Sequence, residues 1–172
     1  MSGFFRVVIT WVTAAITVFP MFATAAENPA DYFVDHTPRS IAGGTLVDAA
    51  SARQLQTQGA LFIDTRSLSE YQAETLPGAR HVPYHEQFPR TRLIGPEDRF
   101  DLTQLPENKA TPLIFFCNGS PCWKGYKAAL RAIEAGYTAV YWFRDGLPSW
   151  QRAGYPTQKG TSSTEAPPSP QK

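Results

Sequence analysis

Three continuous apolar runs mark the middle of the chain: ALFID from Ala60, PLIFF from Pro112 and AVYWF from Ala139. A short run without polar alternation suits a strand buried on both faces of a sheet. Helical patterns separate them. DAASARQLQTQG offers Asp48 and Ser51 as caps, Ala52 and Leu55 on one face, and Gly59 as a stop. Ser67 with Glu70 three residues on forms a capping box, so a second helix starts there. Pro77-Gly78 is turn chemistry leading to a brief strand around His81 and Val82. PEDRFDLTQLP predicts a short helix ended by Pro106. Tyr126, Ala129, Leu130 and Ile133 then recur at helical spacing before Gly136. DGLPSWQRAGYP closes the pattern with Leu147 and Trp150 three apart. Strands alternating with helices predict an α/β domain with a mainly parallel central sheet. The large apolar residues Phe115, Phe116, Trp142 and Trp150 are assigned to its core.

The ends of the chain read differently. Met1–Arg6 carries one positive charge, Val7–Phe22 is apolar, and Ala23-Thr24-Ala25 supplies the small residues of a cleavage site. This layout predicts a secretory signal peptide over 1–25 and a periplasmic mature protein. The apolar core is short for a membrane span and is interrupted by Pro20, and the mature domain carries no pattern for a membrane role. Residues 26–44 read as an extended amino-terminal arm and 45–156 as the domain. Residues 157–172, rich in Pro, Ser and Thr, read as a disordered tail. With 16 basic and 15 acidic residues and no block of one sign, the chain has no electrostatic case for nucleic acid.

The chemistry concentrates in CNGSPCWK, which holds both cysteines of the chain, Cys117 and Cys122. A structural disulfide, a redox pair, metal ligands or a nucleophile with a neighbour all remain open on these residues alone. Export to an oxidising compartment favours a bridge. A loop so short, however, gains little from cross-linking, and a chain of this length needs no staple. Metal binding fails on count: two cysteines make no structural zinc site, and Pro83 separates His81 from His85. All three histidines, His36 included, read as surface or turn residues. Cys117 directly follows an apolar strand and precedes a helix, where free amides and the helix dipole favour the thiolate. Asn118, Gly119 and Ser120 are small or turn-prone, so the loop can curl its amides into a cradle. Asp64 also ends a strand, which puts it on the same rim of the sheet.

These residues resemble a known family. TLVDAASARQLQTQGALFIDTRSLSEYQAETLPGARHVPY and FFCNGSPCWKGYKAALRAIEAGYTAVYWFRDGLPSW are similar, in order, to the two halves of the single-domain rhodanese-like proteins over Thr45–Pro156. The resemblance implies the rhodanese fold, a parallel sheet with helices on both faces, and no cofactor. It also implies a persulfide on Cys117 that moves sulfane sulfur from a small-molecule or protein donor to a thiol acceptor. Asn118, Gly119, Ser120, Pro121, Cys122, Trp123 and Lys124 would form the binding loop, with Cys122 modulating or resolving. Asp64 and Arg66 would buttress the rim.

Departures from the pattern matter as well. Thiosulfate-using relatives place a Gly and then a cation in the loop; here Gly119 comes one position early, and Pro121-Cys122 replace the cation. Phosphatase relatives need an arginine six positions after the cysteine, where Trp123 stands. The Cys-Trp loop is similar to a periplasmic subgroup associated with quinoprotein-dependent catabolism. Two alternatives stay open: a thiol–disulfide redox protein using Cys117 and Cys122, and a non-catalytic binding module on the same fold.

Overall fold

All four residues of Leu113–Phe116 are buried, as are Phe62 and Ile63, so these apolar runs are covered on both sides. A computed structural model describes residues 35–161. Its strands are β1 (Thr45–Leu46), β2 (Leu61–Asp64), β3 (Arg80–His81), β4 (Leu113–Phe116) and β5 (Val140–Phe143), all parallel, in the order β1-β5-β4-β2-β3. Its helices are α1 (Ala49–Thr57), α2 (Leu68–Ala73), α3 (Lys124–Glu134) and α4 (Gly146–Arg152).

Alternate strand residues feed two cores. Ile63, Leu113, Phe115 and Trp142 pack towards α3, whose Ala128, Ala129 and Ala132 let the helix lie close to the sheet. Phe62, Ile114, Phe116 and Phe143 pack towards α1 and α4 through Ala52, Leu147 and Trp150. The helix starts follow the sequence: Asp48 accepts from the Ser51 amide at 2.8 Å, and Ser67 and Glu70 close the capping box of α2. Ser51 itself lies inside α1 rather than capping it.

Three expectations change, and one strand has no counterpart in the sequence pattern. The PEDRFDLTQLP helix is only a 3-10 turn, Leu102–Gln104, because Asp101 caps it at once and Pro106 follows Leu105. The edge strand β1 gives no apolar signal, since both its residues are exposed; its pairing with β5 is what defines it. Residues 35–44 do not form a free arm, for Thr37 and Ile41 are buried. The polar segment after Pro156 stays on the fold at first: Gln158 pairs antiparallel with Thr75, and Thr157 Oγ1 donates to Glu74 at 2.6 Å. The expected signal peptide at 1–25 lies outside the described residues. Among the described residues, no helix is long and apolar enough to cross a membrane.

Candidate active site

Strand β4 is the middle of the sheet, flanked by β2 and β5, and Cys117 directly follows its last residue. The last carbonyl of β4, on Phe116, accepts from the Thr65 hydroxyl at 2.9 Å and from the Thr65 amide at 3.3 Å. The Cys117 carbonyl accepts from the Leu147 amide at 3.1 Å, in the first turn of α4. Two glycines make room for this crowding. A Cβ on Gly146, whose φ is +52°, would overlap the Cys117 carbonyl oxygen, and one on Gly125 would sit 3.2 Å from the Phe116 carbonyl carbon. The backbone of Cys117 is thus held from both sides, and its side chain is almost wholly buried.

From Cys117 the chain turns through Gly119, at φ +101°, and the Cys122 amide donates to the Gly119 carbonyl at 3.0 Å. Cys117 and Cys122 are joined by a disulfide with their Cα atoms 6.1 Å apart. Helix α3 begins directly after, with Trp123 at its N-cap and no side-chain hydrogen bond capping it. Its first amides therefore lack the side-chain acceptor that α1 and α2 have. The Trp123 ring is buried edge-on to Tyr126 at 5.5 Å, and its indole Nε1 has no hydrogen-bond partner. Pro121 and Asn118 are exposed, while Ser120, Cys122 and Lys124 are half-buried.

Asp64 and Arg66 form a buried bidentate pair. Arg66 Nη2 lies 2.6 Å from Asp64 Oδ2, and Nε lies 2.9 Å from Oδ1; the Thr75 hydroxyl donates to the same carboxylate at 2.7 Å. The guanidinium reaches the cysteine loop through Nη1, which donates to Asn118 Oδ1 at 3.2 Å. Asn118 in turn donates its amide to Glu70 Oε1. Burial pushes the Glu70 carboxyl up, but hydrogen bonds from Ser67 and Asn118 and the Lys124 ammonium outweigh it and hold the group below its ordinary value. A chain of polar contacts thus runs from the end of β2, through Arg66 and Asn118, to the start of α2.

Sequence reasoning missed a second support. The Thr37 amide and hydroxyl both donate to the Ser120 carbonyl, at 2.8 and 2.9 Å, and His36 Nδ1 lies 3.0 Å from Ser120 Oγ. Arg144 then donates to the Thr37 carbonyl at 2.8 Å and to Asp145 at 3.3 Å. The arm thereby braces the loop from outside, and no local pattern announces contacts across so many intervening residues. The other two histidines stay off the sulfur. His81 Nε2 meets the Arg66 carbonyl at 2.9 Å, and His85 pairs in a bridge with Arg99.

A parallel sheet with helices on both faces and a backbone-anchored cysteine after its middle strand agrees with the comparisons to known proteins. The chain belongs to the rhodanese-like domain family, whose model matches residues 48–153. Protein HIGH ARSENIC CONTENT 1, mitochondrial, of Arabidopsis thaliana is 24% identical over 122 residues, covering 71% of this chain and 70% of that protein. A thiosulfate sulfurtransferase from Pseudomonas aeruginosa shares the fold at TM-score 0.51 and 24% identity. That match covers 69% of this chain but only 21% of the other, so this chain spans about a fifth of it. A homodimeric polysulfide-sulfur transferase from Wolinella succinogenes also shares the fold, at TM-score 0.51 and 15% identity over 72% of this chain and 85% of that one.

Proposed function

We propose that the protein is a sulfurtransferase that carries sulfane sulfur as a persulfide on Cys117. The observation that carries this reading is the placement of Cys117: it directly follows the middle strand, its carbonyl is bound by α4, and α3 starts just beyond it without a side-chain cap. Amides and a helix dipole converging there stabilise a thiolate, and the thiolate is the nucleophile. Once the bridge to Cys122 is reduced, Cys117 attacks the outer sulfur of a donor. The donor S–S bond breaks, its thiolate leaves, and the sulfur remains on Cys117. An acceptor thiolate then takes that sulfur, and the Cys117 thiolate is released. The thiosulfate and polysulfide transferases that share the fold support this class of chemistry.

Neutral or thiol-borne persulfides fit the site better than thiosulfate. No cation lies between Cys117 and Cys122, the Lys124 ammonium just beyond them acts on the Glu70 carboxylate, and the guanidinium groups of Arg66 and Arg144 are engaged in internal hydrogen bonds. A second reading, thiol–disulfide exchange, is favoured by the Cys117–Cys122 bridge itself. Intact mass after incubating the reduced protein with glutathione persulfide or thiosulfate separates the two. Sulfur transfer gives a gain of one sulfur atom in Cys122→Ser and none in Cys117→Ser, with the persulfide the faster donor. No gain in either variant leaves exchange as the function, and faster loading from thiosulfate overturns the donor assignment.

We further propose a periplasmic protein of the subgroup associated with quinoprotein-dependent catabolism, which the signal-peptide-like layout of residues 1–25 and the Cys-Trp loop support. The mature chain is expected to begin near Ala26. Amino-terminal sequencing of the exported protein checks this, and recovery of Met1 would make it tethered instead.

A further inference from the structure

We infer that Cys122 discharges the Cys117 persulfide as sulfide, which makes the protein a sulfane-sulfur reductase that a dithiol partner resets. The inference rests on the persulfide reading of Cys117 and adds the fate of the sulfur. The observation behind it is the Cys117–Cys122 bond, which shows that the second sulfur reaches Cys117 Sγ with the loop folded and braced. In the loaded state Cys117 Sγ is the inner sulfur of the persulfide. A Cys122 thiolate attacking it forms the disulfide and breaks the bond to the outer sulfur, which leaves as hydrosulfide with the electron pair and its proton. The outer sulfur is reduced by two electrons, and the two cysteine thiols are oxidised to the bridge. The disulfide-closed loop is the product of that step.

Geometry sets the competition. Cys117 is nearly buried, which hinders attack on its Sγ by a thiol from solution, whereas Cys122 is five residues away in the same turn. A neighbouring thiol in one loop acts at an effective concentration far above that of a free thiol. Cys122 therefore competes with acceptors for the loaded state, and where no acceptor thiol engages the outer sulfur, sulfide is the product.

The bridge must then be reopened, and burial says where. Cys122 is half-buried beside the exposed Pro121, while Cys117 is nearly buried. An incoming thiolate reaches Cys122 Sγ first. Cys117 leaves as the thiolate, into the amides that favour its charge, and a better-stabilised thiolate leaves faster. The second thiol of the partner breaks the resulting mixed disulfide, so the partner ends as a disulfide and both cysteines as thiols. A dithiol fits this role better than a monothiol, because it resolves its own adduct.

The test is a single turnover without oxygen. Reduced, desalted protein is mixed with glutathione persulfide at one donor per chain, and sulfide and intact mass are followed together. With oxygen excluded, the sulfane sulfur is the two-electron acceptor in the mixture, so bridge formation reports this step. The wild type should release one sulfide for each chain loaded and end two hydrogens lighter than the reduced form. Cys122→Ser, separated by rapid desalting from the one glutathione that loading releases, should keep the mass of one extra sulfur and release sulfide only when a thiol is added in excess. A wild type that keeps its extra sulfur, or that matches Cys122→Ser in sulfide release, overturns the reductase inference and leaves the persulfide carrier standing. Failure of both proteins to gain sulfur and of the wild type to release sulfide overturns the persulfide reading, and the inference falls with it.

Discussion

Each nitrogen of the Arg66 guanidinium donates inside the protein: Nε to Asp64, Nη1 to Asn118, and Nη2 to Asp64 and the Glu74 carbonyl. The pair with Asp64 is almost fully buried, and such pairs contribute little net stability because desolvation offsets their attraction. Removing one member is another matter. Arg66→Met would strand the Asp64 carboxylate in the interior, at a cost of about 3–5 kcal/mol. It would also free Asn118 from its anchor to β2. Urea unfolding should show the loss, and Cys117 should load sulfur more slowly than in wild type under conditions where the variant is folded. An unchanged unfolding midpoint would show that the Thr75 hydroxyl and the amide of residue 66 suffice to hold the Asp64 carboxylate. Arg66 is a positioning residue here, since its charge is neutralised before it can meet a donor.

At the scale of elements, the amino-terminal segment, the cysteine loop and α4 form one braced unit. Thr37 holds Ser120, Arg144 holds Thr37, and α4 binds the Cys117 carbonyl. Gly146 is the tightest point of that unit, and Gly136 provides a control. Both have positive φ, +52° and +88°, but a Cβ on Gly136 meets nothing within 4 Å, while one on Gly146 overlaps Cys117 and lies 2.9 Å from the Gly119 nitrogen. Alanine at either site carries the left-handed penalty of roughly 1–2 kcal/mol. Gly146→Ala must in addition displace the loop, so it should lower Tm further than Gly136→Ala and slow Cys117 loading. Equal Tm and equal loading for the two variants would mean that the contact does not position the sulfur. Legibility divides along the same line. The buried strands, the caps at Asp48 and Ser67, and the strand-end positions of Asp64 and Cys117 follow from residue types at short spacing. The brace from Thr37, the two-residue strand β1 and the Gln158 pairing depend on contacts between distant segments, which leave no periodic trace in the chain.

Across the whole molecule, the question is how much the fold relies on the cysteine bridge. The cores on the two faces of the sheet are built mainly from Phe, Ile, Leu, Val, Trp and Ala side chains of three strands, β2, β4 and β5, and three helices, α1, α3 and α4. The bridge lies outside both, closing a loop with a sequence separation of only 5. In the chain-entropy account, cross-linking so short a loop constrains the unfolded state by about 2 kcal/mol, less than a long loop would give. Reduction should therefore shift the urea midpoint modestly and leave near-UV and far-UV circular dichroism close to those of the oxidised form. The proposed cycle needs this indifference, because it requires the fold to persist while the pair alternates between thiols, persulfide and disulfide. The measurement is paired urea unfolding with and without a dithiol reductant, monitored by tryptophan fluorescence, since Trp123 sits next to Cys122 and Trp142 and Trp150 report the two cores. Two superimposable baselines with a small shift in midpoint are expected. Global unfolding on reduction would instead make the bridge a structural staple and remove the basis for any redox cycle at this loop.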